Sequence, residues 1–267
     1  MANVSSSHIK IGKDFIVNRI GLGTNRIYND EKSIKALKIA AEIGINFIDT
    51  ASAYTGGISE KVIGETLFPY TNIVVATKGG MVAPDFRIDA SPEVLRKQLN
   101  ESLKKLKLAI IPLYFLHRVD PGVPLKESLL FLKNMQKEGK IKHIGLSQVT
   151  IEQIEEARKY VDIVAVENEY NLSARMYDKV IDYSEKEKIV FIPFFPLHFD
   201  KTYFQILESM KEKYQVTVEQ LALAWILKRS PIILPIPGSL SEEHLKANFA
   251  ALTIDLTEED FQKLLNS

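Results

Sequence analysis

The sequence predicts an α/β protein closed as a (β/α)8 barrel, with a β-hairpin ahead of the barrel and extra C-terminal helices. Three observations carry this expectation. Eight short apolar runs alternate with segments whose apolar residues recur at helical spacing. No Gly-x-Gly-x-x-Gly turn follows the first run, where Gly21-Leu22-Gly23 is too short for one, so a closed barrel is favoured over an open doubly wound sheet. The chain has 267 residues, 46% of them hydrophobic, enough for one large core, so one barrel domain over 1–267 is expected.

The hairpin is read from the apolar alternation in 8–11 and 15–17 around Gly12-Lys13-Asp14. The barrel pattern begins with an extended run at 20–23. A helix over 33–43 follows, stopped by Gly44, and then a strand over 45–49. The alternation continues through helix 60–67, strand 73–77, helix 92–106, strand 113–116 and helix 125–137. Pro92 suits a first helical turn, and Ser91 before it is the expected N-cap. The second half repeats the rhythm: strand 142–146, helix 151–159, strand 163–166, helix 174–186, strand 190–194, helix 217–228 and strand 232–235. Leu221, Ala222, Ala224, Trp225 and Leu227 form a stripe assigned to core packing. Helices over 241–251 and 258–265 complete the chain. The segments 24–30, 81–90, 118–123 and 198–203 read as loops.

Lys and Arg total 34 and Asp and Glu total 34, so no long-range field favours polyanions, and a nucleic-acid partner is not expected. The absence of cysteine removes disulfides, thiolate metal sites and cysteine nucleophiles. No metal site is expected. Met1 to Ser7 lack the basic flank and apolar core of a secretory signal, and no run approaches membrane-spanning length. A cytoplasmic protein with no membrane partner and no obligatory protein partner is the expectation.

In such a barrel the loops at the C-terminal strand ends form the active face. Asp49, Lys78, His117, Ser147, Glu167 and Phe194 all fall at or just past strand ends, with Tyr54 in the loop after Asp49. Singly, each has an ordinary reading: an Asp that caps a helix, a Tyr half-buried in packing, a His satisfied at the surface. Jointly, an acid, a phenol, a cation and an imidazole at one mouth make a proton-donating site.

Phe47-Ile48-Asp49-Thr50-Ala51 with Tyr54, Gly57-x-Ser59-Glu60, Ile63-Gly64 and Ala76-Thr77-Lys78 resemble the aldo-keto reductase family. The resemblance runs on through Gly145-Leu146-Ser147, Glu169-Tyr170-Asn171, Phe195-Pro196-Leu197 and Ile236-Pro237-Gly238-Ser239, in order over nearly the whole chain. It implies reduction of an aldehyde or ketone by a nicotinamide cofactor, with Tyr54 giving its proton to the carbonyl oxygen. Lys78 would stabilise the developing phenolate, Asp49 would hold Lys78, and His117 would hydrogen-bond the substrate oxygen.

The resemblance also implies a cofactor track. Gly23, Thr24 and Asp49 flank it, Ser147 and Gln148 meet the carboxamide with Glu167 beneath the ring, and Phe194 stacks on the nicotinamide. Phe195, Pro196 and Leu197 cover the pyrophosphate. Gly238 and Ser239, with His244 and Asn248 on the next helix, lie near the adenosine phosphate. NADPH is the implied cofactor. Gly238 and His244 stand where Lys and Arg are frequent, which leaves NADH open as well, and Lys246 is then the nearest remaining cation. Asn25 replaces a frequent Trp, so a wider, more polar pocket is expected. Glu167 replaces a frequent Gln and is expected to be ionised. The wording of several motifs resembles a bacterial-type branch that includes pyridoxal reductases. Two rival readings stay open: a cofactor-sensing regulatory subunit of a membrane channel with little turnover, and a lyase that uses Lys78 as a Schiff-base former.

Overall fold

Ile9 and Ile11 on β1 (His8–Ile11) and Val17 on β2 (Phe15–Asn18) are buried, while their neighbours along each strand are more exposed, as alternation on a strand requires. The strands pair antiparallel across the turn at Gly12, with Ile9 opposite Val17. A computed structural model describes residues 7–267. The expectations for the opening segment and for the barrel domain's reach to residue 1 therefore fall partly on residues 1–6, outside those described. The hairpin's apolar side packs with Phe47, Leu113, Phe115, Val190 and Leu234 inside the barrel. Asp14 pairs with Lys142 and His143 at the start of a barrel strand, so the hairpin closes the N-terminal end.

Seven strands then run parallel: β3 (Leu22–Gly23), β4 (Phe47–Asp49), β5 (Val74–Gly79), β8 (Ile111–Leu116), β9 (Ile141–Ser147), β10 (Ile163–Glu169) and β11 (Val190–Phe194). Between β5 and β8 a small hairpin, β6 (Met81–Val82) with β7 (Arg87–Ile88), occupies a segment expected to be loop. The eighth run, 232–236, closes the barrel by hydrogen bonds rather than as a full strand. Leu234 N–H donates to Phe191 O at 2.9 Å, and Gly21 N–H donates to Pro235 O at 3.0 Å. Pro231, Pro235 and Pro237 have no N–H to give, so a continuous ladder cannot form there.

The helices follow the expected order. Asp30 caps α1 (Glu31–Glu42), which ends at Gly44 with φ +98°. α2 (Ile58–Leu67) follows, and Ser91 caps α3 (Pro92–Lys105) by accepting from Val94 N–H. α4 (Leu125–Lys137) leads to α5 (Ile151–Arg158), where Thr150 and Gln153 form a capping box. α6 (Asp178–Glu187) starts four residues later than expected, because Asn171 accepts from Ser173 and Ala174 N–H and holds that stretch in a turn. α7 (Lys201–Tyr214) was not anticipated; it is capped by Asp200 and buries Tyr203, Leu207 and Met210. α8 (Val218–Arg229) is buried over nearly its whole length, with Trp225 stacked on Tyr170. α9 (Glu242–Ala250) and α10 (Glu258–Leu265) are the two extra helices. Among the described residues, no helix is long and apolar enough to cross a membrane, and no His, Cys, Asp and Glu cluster could hold a metal.

Candidate active site

The apolar run that makes β4 ends in Asp49, and pairing with β5 continues past it. Thr50 N–H donates to Ala76 O at 2.9 Å and Ser52 N–H to Lys78 O at 3.0 Å. This carries the chain over the end of β5 into a 3-10 turn at Tyr54–Gly57, which sets the Tyr54 phenol above Lys78. Thr24 fixes the other side of β4, its hydroxyl donating to Asp49 O at 2.7 Å, and Ser59 on α2 donates to Thr24 in turn. His117 follows directly on β8, with its N–H on Gly79 O at 2.8 Å.

Lys78 is the hub. Its ammonium donates to Asp49 Oδ2 at 2.5 Å, Thr50 O at 3.1 Å and Tyr54 Oη at 3.2 Å, and Glu167 Oε1 lies 3.2 Å away. Lys78, Asp49 and Glu167 are each at most 1% exposed. Burial alone would drive the ammonium to lose its proton, but the two carboxyls outweigh burial and push the Lys78 pKa up. A lysine so held is not a nucleophilic amine, which argues against Schiff-base chemistry.

The neighbours respond to the same environment. Burial, only partly opposed by Lys78, pushes the Tyr54 phenol up to about 12, so it keeps its proton at neutral pH. Burial, with the adjacent Lys78 and Arg118 charges, holds His117 well below the usual imidazole range, and the ring is neutral. The Tyr54 and His117 rings meet edge to face at 5.9 Å between centroids. Glu167 departs from expectation. Solvent access was expected to keep it ionised, but Glu167 is buried, and burial with the nearby Asp49 charge pushes it up to about 8, toward the protonated form.

These groups form the floor of a cleft of about 380 Å³. Gly23, Thr24, Asp49, Tyr54, His117, Ser147 and Glu167 line it, and Phe194, Phe195, Pro196, Leu197 and Gly238 form one wall. Asn25 is exposed on the rim of the cleft. Phe194 and Phe195 pack edge to face, and the Phe195 ring stacks on His198 at 4.6 Å. Asn171 donates to Phe195 O at 3.1 Å and so anchors that wall. Glycine at 23 is required by the fold, since a Cβ there would lie 2.7 Å from Ile236 O.

A second cavity of about 340 Å³ opens beyond Gly23 and Gly238, lined by Ser239, Ser241, His244, Arg26 and Lys32. Sequence reasoning missed both cations, Arg26 in the β3–α1 connection and Lys32 in the first turn of α1, which line this cavity with the 238–244 segment. Lys246 instead binds Glu242 at 2.8 Å on its own helix. Gln148 and Asn248 line neither cavity, and Gln148 accepts from Glu169 N–H at 3.2 Å. Arg118, the residue after His117, was also missed. It donates to His117 O at 2.6 Å and Ser147 Oγ at 3.1 Å.

A parallel barrel whose mouth joins a phenol, a lysine, a carboxylate and an imidazole beside an elongated cleft defines a class of oxidoreductase, and comparison with known proteins agrees. The chain belongs to the aldo/keto reductase family, whose model matches residues 19–266. It is 39% identical to an uncharacterized oxidoreductase of Schizosaccharomyces pombe, over 96% of this chain and 88% of that protein. It is 36% identical to pyridoxine 4-dehydrogenase of Escherichia coli, over 91% of this chain and 92% of that protein. The crystal structure of an aldo-keto reductase from Klebsiella pneumoniae in complex with NADPH superposes with a TM-score of 0.87 at 26% identity, covering 97% of this chain and 94% of that one.

Proposed function

We propose that the protein is a cytoplasmic NADPH-dependent oxidoreductase that reduces an aldehyde or ketone to the alcohol, with Tyr54 as proton donor. The observation that carries this reading is the contact of Tyr54 Oη with Lys78 Nζ at 3.2 Å, below a cleft open to a small molecule. A phenol in that position gives up its proton as negative charge develops on the carbonyl oxygen, and the fixed ammonium stabilises the phenolate left behind. His117, neutral and edge-on to Tyr54, orients the same oxygen by a hydrogen bond.

The residues present fit a nicotinamide dinucleotide. The cleft and the second cavity together offer an aromatic wall at Phe194 and Phe195, a hydroxyl at Ser147, Gly23 and Gly238 lining both, and the cations Arg26 and Lys32. When bound, the cofactor supplies the hydride. Ser147 would hold the carboxamide, and Arg26 and Lys32 are the chain's own groups for phosphate. The similarity to a pyridoxine 4-dehydrogenase supports including pyridoxal among the carbonyls tested.

The test is the change in nicotinamide absorbance with NADPH or NADH against aldehydes, ketones and pyridoxal, for the parent and for Tyr54→Phe. The variant should lose roughly 10²–10⁴-fold in rate while binding the cofactor as before. Retained turnover in the variant would overturn the mechanism. A parent that binds NADPH and turns over no carbonyl would favour a regulatory role.

A further inference from the structure

Arg118 is a cation with no ion-pair partner in the substrate mouth among the described residues. It is half-buried, and both bonds it makes go to neutral acceptors, the carbonyl of His117 and the hydroxyl of Ser147. No carboxylate forms an ion pair with it among the described residues. The two acids of the cleft, Asp49 and Glu167, sit on the floor, and both are bound to Lys78. Asn25, Met81 and Phe86 line the mouth without charge, and the one further cation of its lining among the described residues, Arg26, also lines the second cavity.

A guanidinium presents five donors in a fixed fork, and its bonds to His117 and Ser147 both use the one nitrogen, Nη1. Withdrawing such a group from water without an anion is unfavourable, and the fork matches the oxygens of a carboxylate or a phosphate. Because Arg118 lines the same cleft as Tyr54 and His117 and reaches Ser147 within it, an anion held there shares the cleft with a carbonyl placed at Tyr54 and His117. The geometry points to a substrate that carries an anionic group, carboxylate or phosphate, within a few atoms of its reacting carbonyl, with Arg118 as the residue that selects it. This inference rests on the carbonyl-reductase reading and names the class of carbonyl that the site takes.

Matched pairs test it. The parent enzyme should prefer 4-oxobutanoate to butanal and glyceraldehyde 3-phosphate to glyceraldehyde in kcat/KM. The larger of the two ratios tells carboxylate from phosphate. In Arg118→Leu that preference should fall by about 10-fold or more, mainly through KM of the anionic partner, and Arg118→Lys should restore part of it. The parent's preference should also weaken as salt is raised. Equal use of charged and neutral partners by the parent overturns the inference while leaving the reductase reading intact. So does a variant whose NADPH affinity drops while the preference stays, since Arg118 would then serve the cofactor. If no carbonyl is turned over, the reductase reading fails, and calorimetry with succinate and with inorganic phosphate still decides the anion site. Binding that is lost in Arg118→Leu supports it, and binding that is absent, or equal in parent and variant, refutes it.

Discussion

Glu167 Oε1 lies 3.2 Å from the Lys78 ammonium, which Asp49 Oδ2 holds from another side at 2.5 Å. One buried cation thus serves two buried carboxyls. Only one of them can stay ionised without leaving net negative charge in a dry site. Asp49 has the shorter contact, and burial with the Asp49 charge pushes Glu167 up to about 8.

This arrangement makes stability depend on pH. Glu167 binds its proton up to about pH 8 when folded but only up to about 4.5 when unfolded, so between those values the native state holds the extra proton. Stability therefore falls as pH rises through that window, by up to about 1.4 kcal/mol per pH unit, and levels off above about 8. Glu167→Gln removes the proton and the slope. Urea unfolding of both proteins from pH 5 to 9 should show the variant gaining on the parent up to about pH 8 and by no more beyond. A constant difference would mean that Glu167 is ionised throughout.

Lys78→Met leaves Asp49 and Glu167 facing each other with no cation. Removing one partner of a buried ion cluster typically costs about 3–5 kcal/mol, so the variant should unfold at clearly lower denaturant at pH 7. Lys78 is also the one group drawing the Tyr54 pKa down against burial, Asp49 and Glu167, so carbonyl reduction should fall as well. Acidification protonates the stranded carboxyls and should recover stability without recovering turnover. A variant as stable as the parent at pH 7 would show that the cluster contributes nothing net to the fold.

Barrel closure has its own determinant in Arg19. Its buried guanidinium donates to Ile233 O at 3.0 Å, Leu227 O at 2.8 Å and Ser230 O at 2.6 Å, fastening the start of the barrel to the run that closes it. In Arg19→Met these carbonyls stay buried and lose a charged donor, a loss of about 3 kcal/mol or more. Because Gly21 and Gly23 lie on the same seam, cofactor affinity should weaken along with stability. Normal NADPH affinity in a destabilised variant would separate the seam from the site.

How much of this was legible in the sequence follows from what each feature depends on. The strands and most helices are local patterns, which is why Ser91, Gly44 and the Trp225 stripe could be read directly. So could the strand ends, hence Asp49, Lys78 and His117. α7 was missed although Asp200 caps it, because Tyr203, Leu207 and Met210 were not weighed as a helical face across a segment read as loop. Glu167 was placed at the right strand end, but the upward push on its pKa depends on burial that no local pattern reveals and on Asp49, 118 positions away in the chain. Arg26, Lys32 and Arg118 carry no pattern at all. Arg26 and Arg118 are single cations in loops and Lys32 sits in the first turn of α1, and only the folded barrel shows which cavity they face.

Two of those cations decide the last prediction, on cofactor choice. Lys246 was the nearest cation in sequence to the expected phosphate segment, but it is bound to Glu242, whereas Arg26 and Lys32 line the second cavity with Ser239 and His244. A phosphate monoester on the cofactor's ribose distinguishes NADPH from NADH, so a residue that contacts it should affect one cofactor and spare the other. Arg26 lines both cavities and can reach phosphate common to both cofactors, whereas Lys32 lines the second alone. Lys32→Ala should therefore weaken NADPH selectively, by about 10-fold for one charge-assisted contact, and Arg26→Ala should weaken both cofactors. Lys246→Ala should change neither. Dissociation constants from quenching of Trp225 fluorescence or from calorimetry give the comparison. A selective loss of NADPH in Lys246→Ala, with Lys32→Ala unchanged, would move the phosphate contact back to α9.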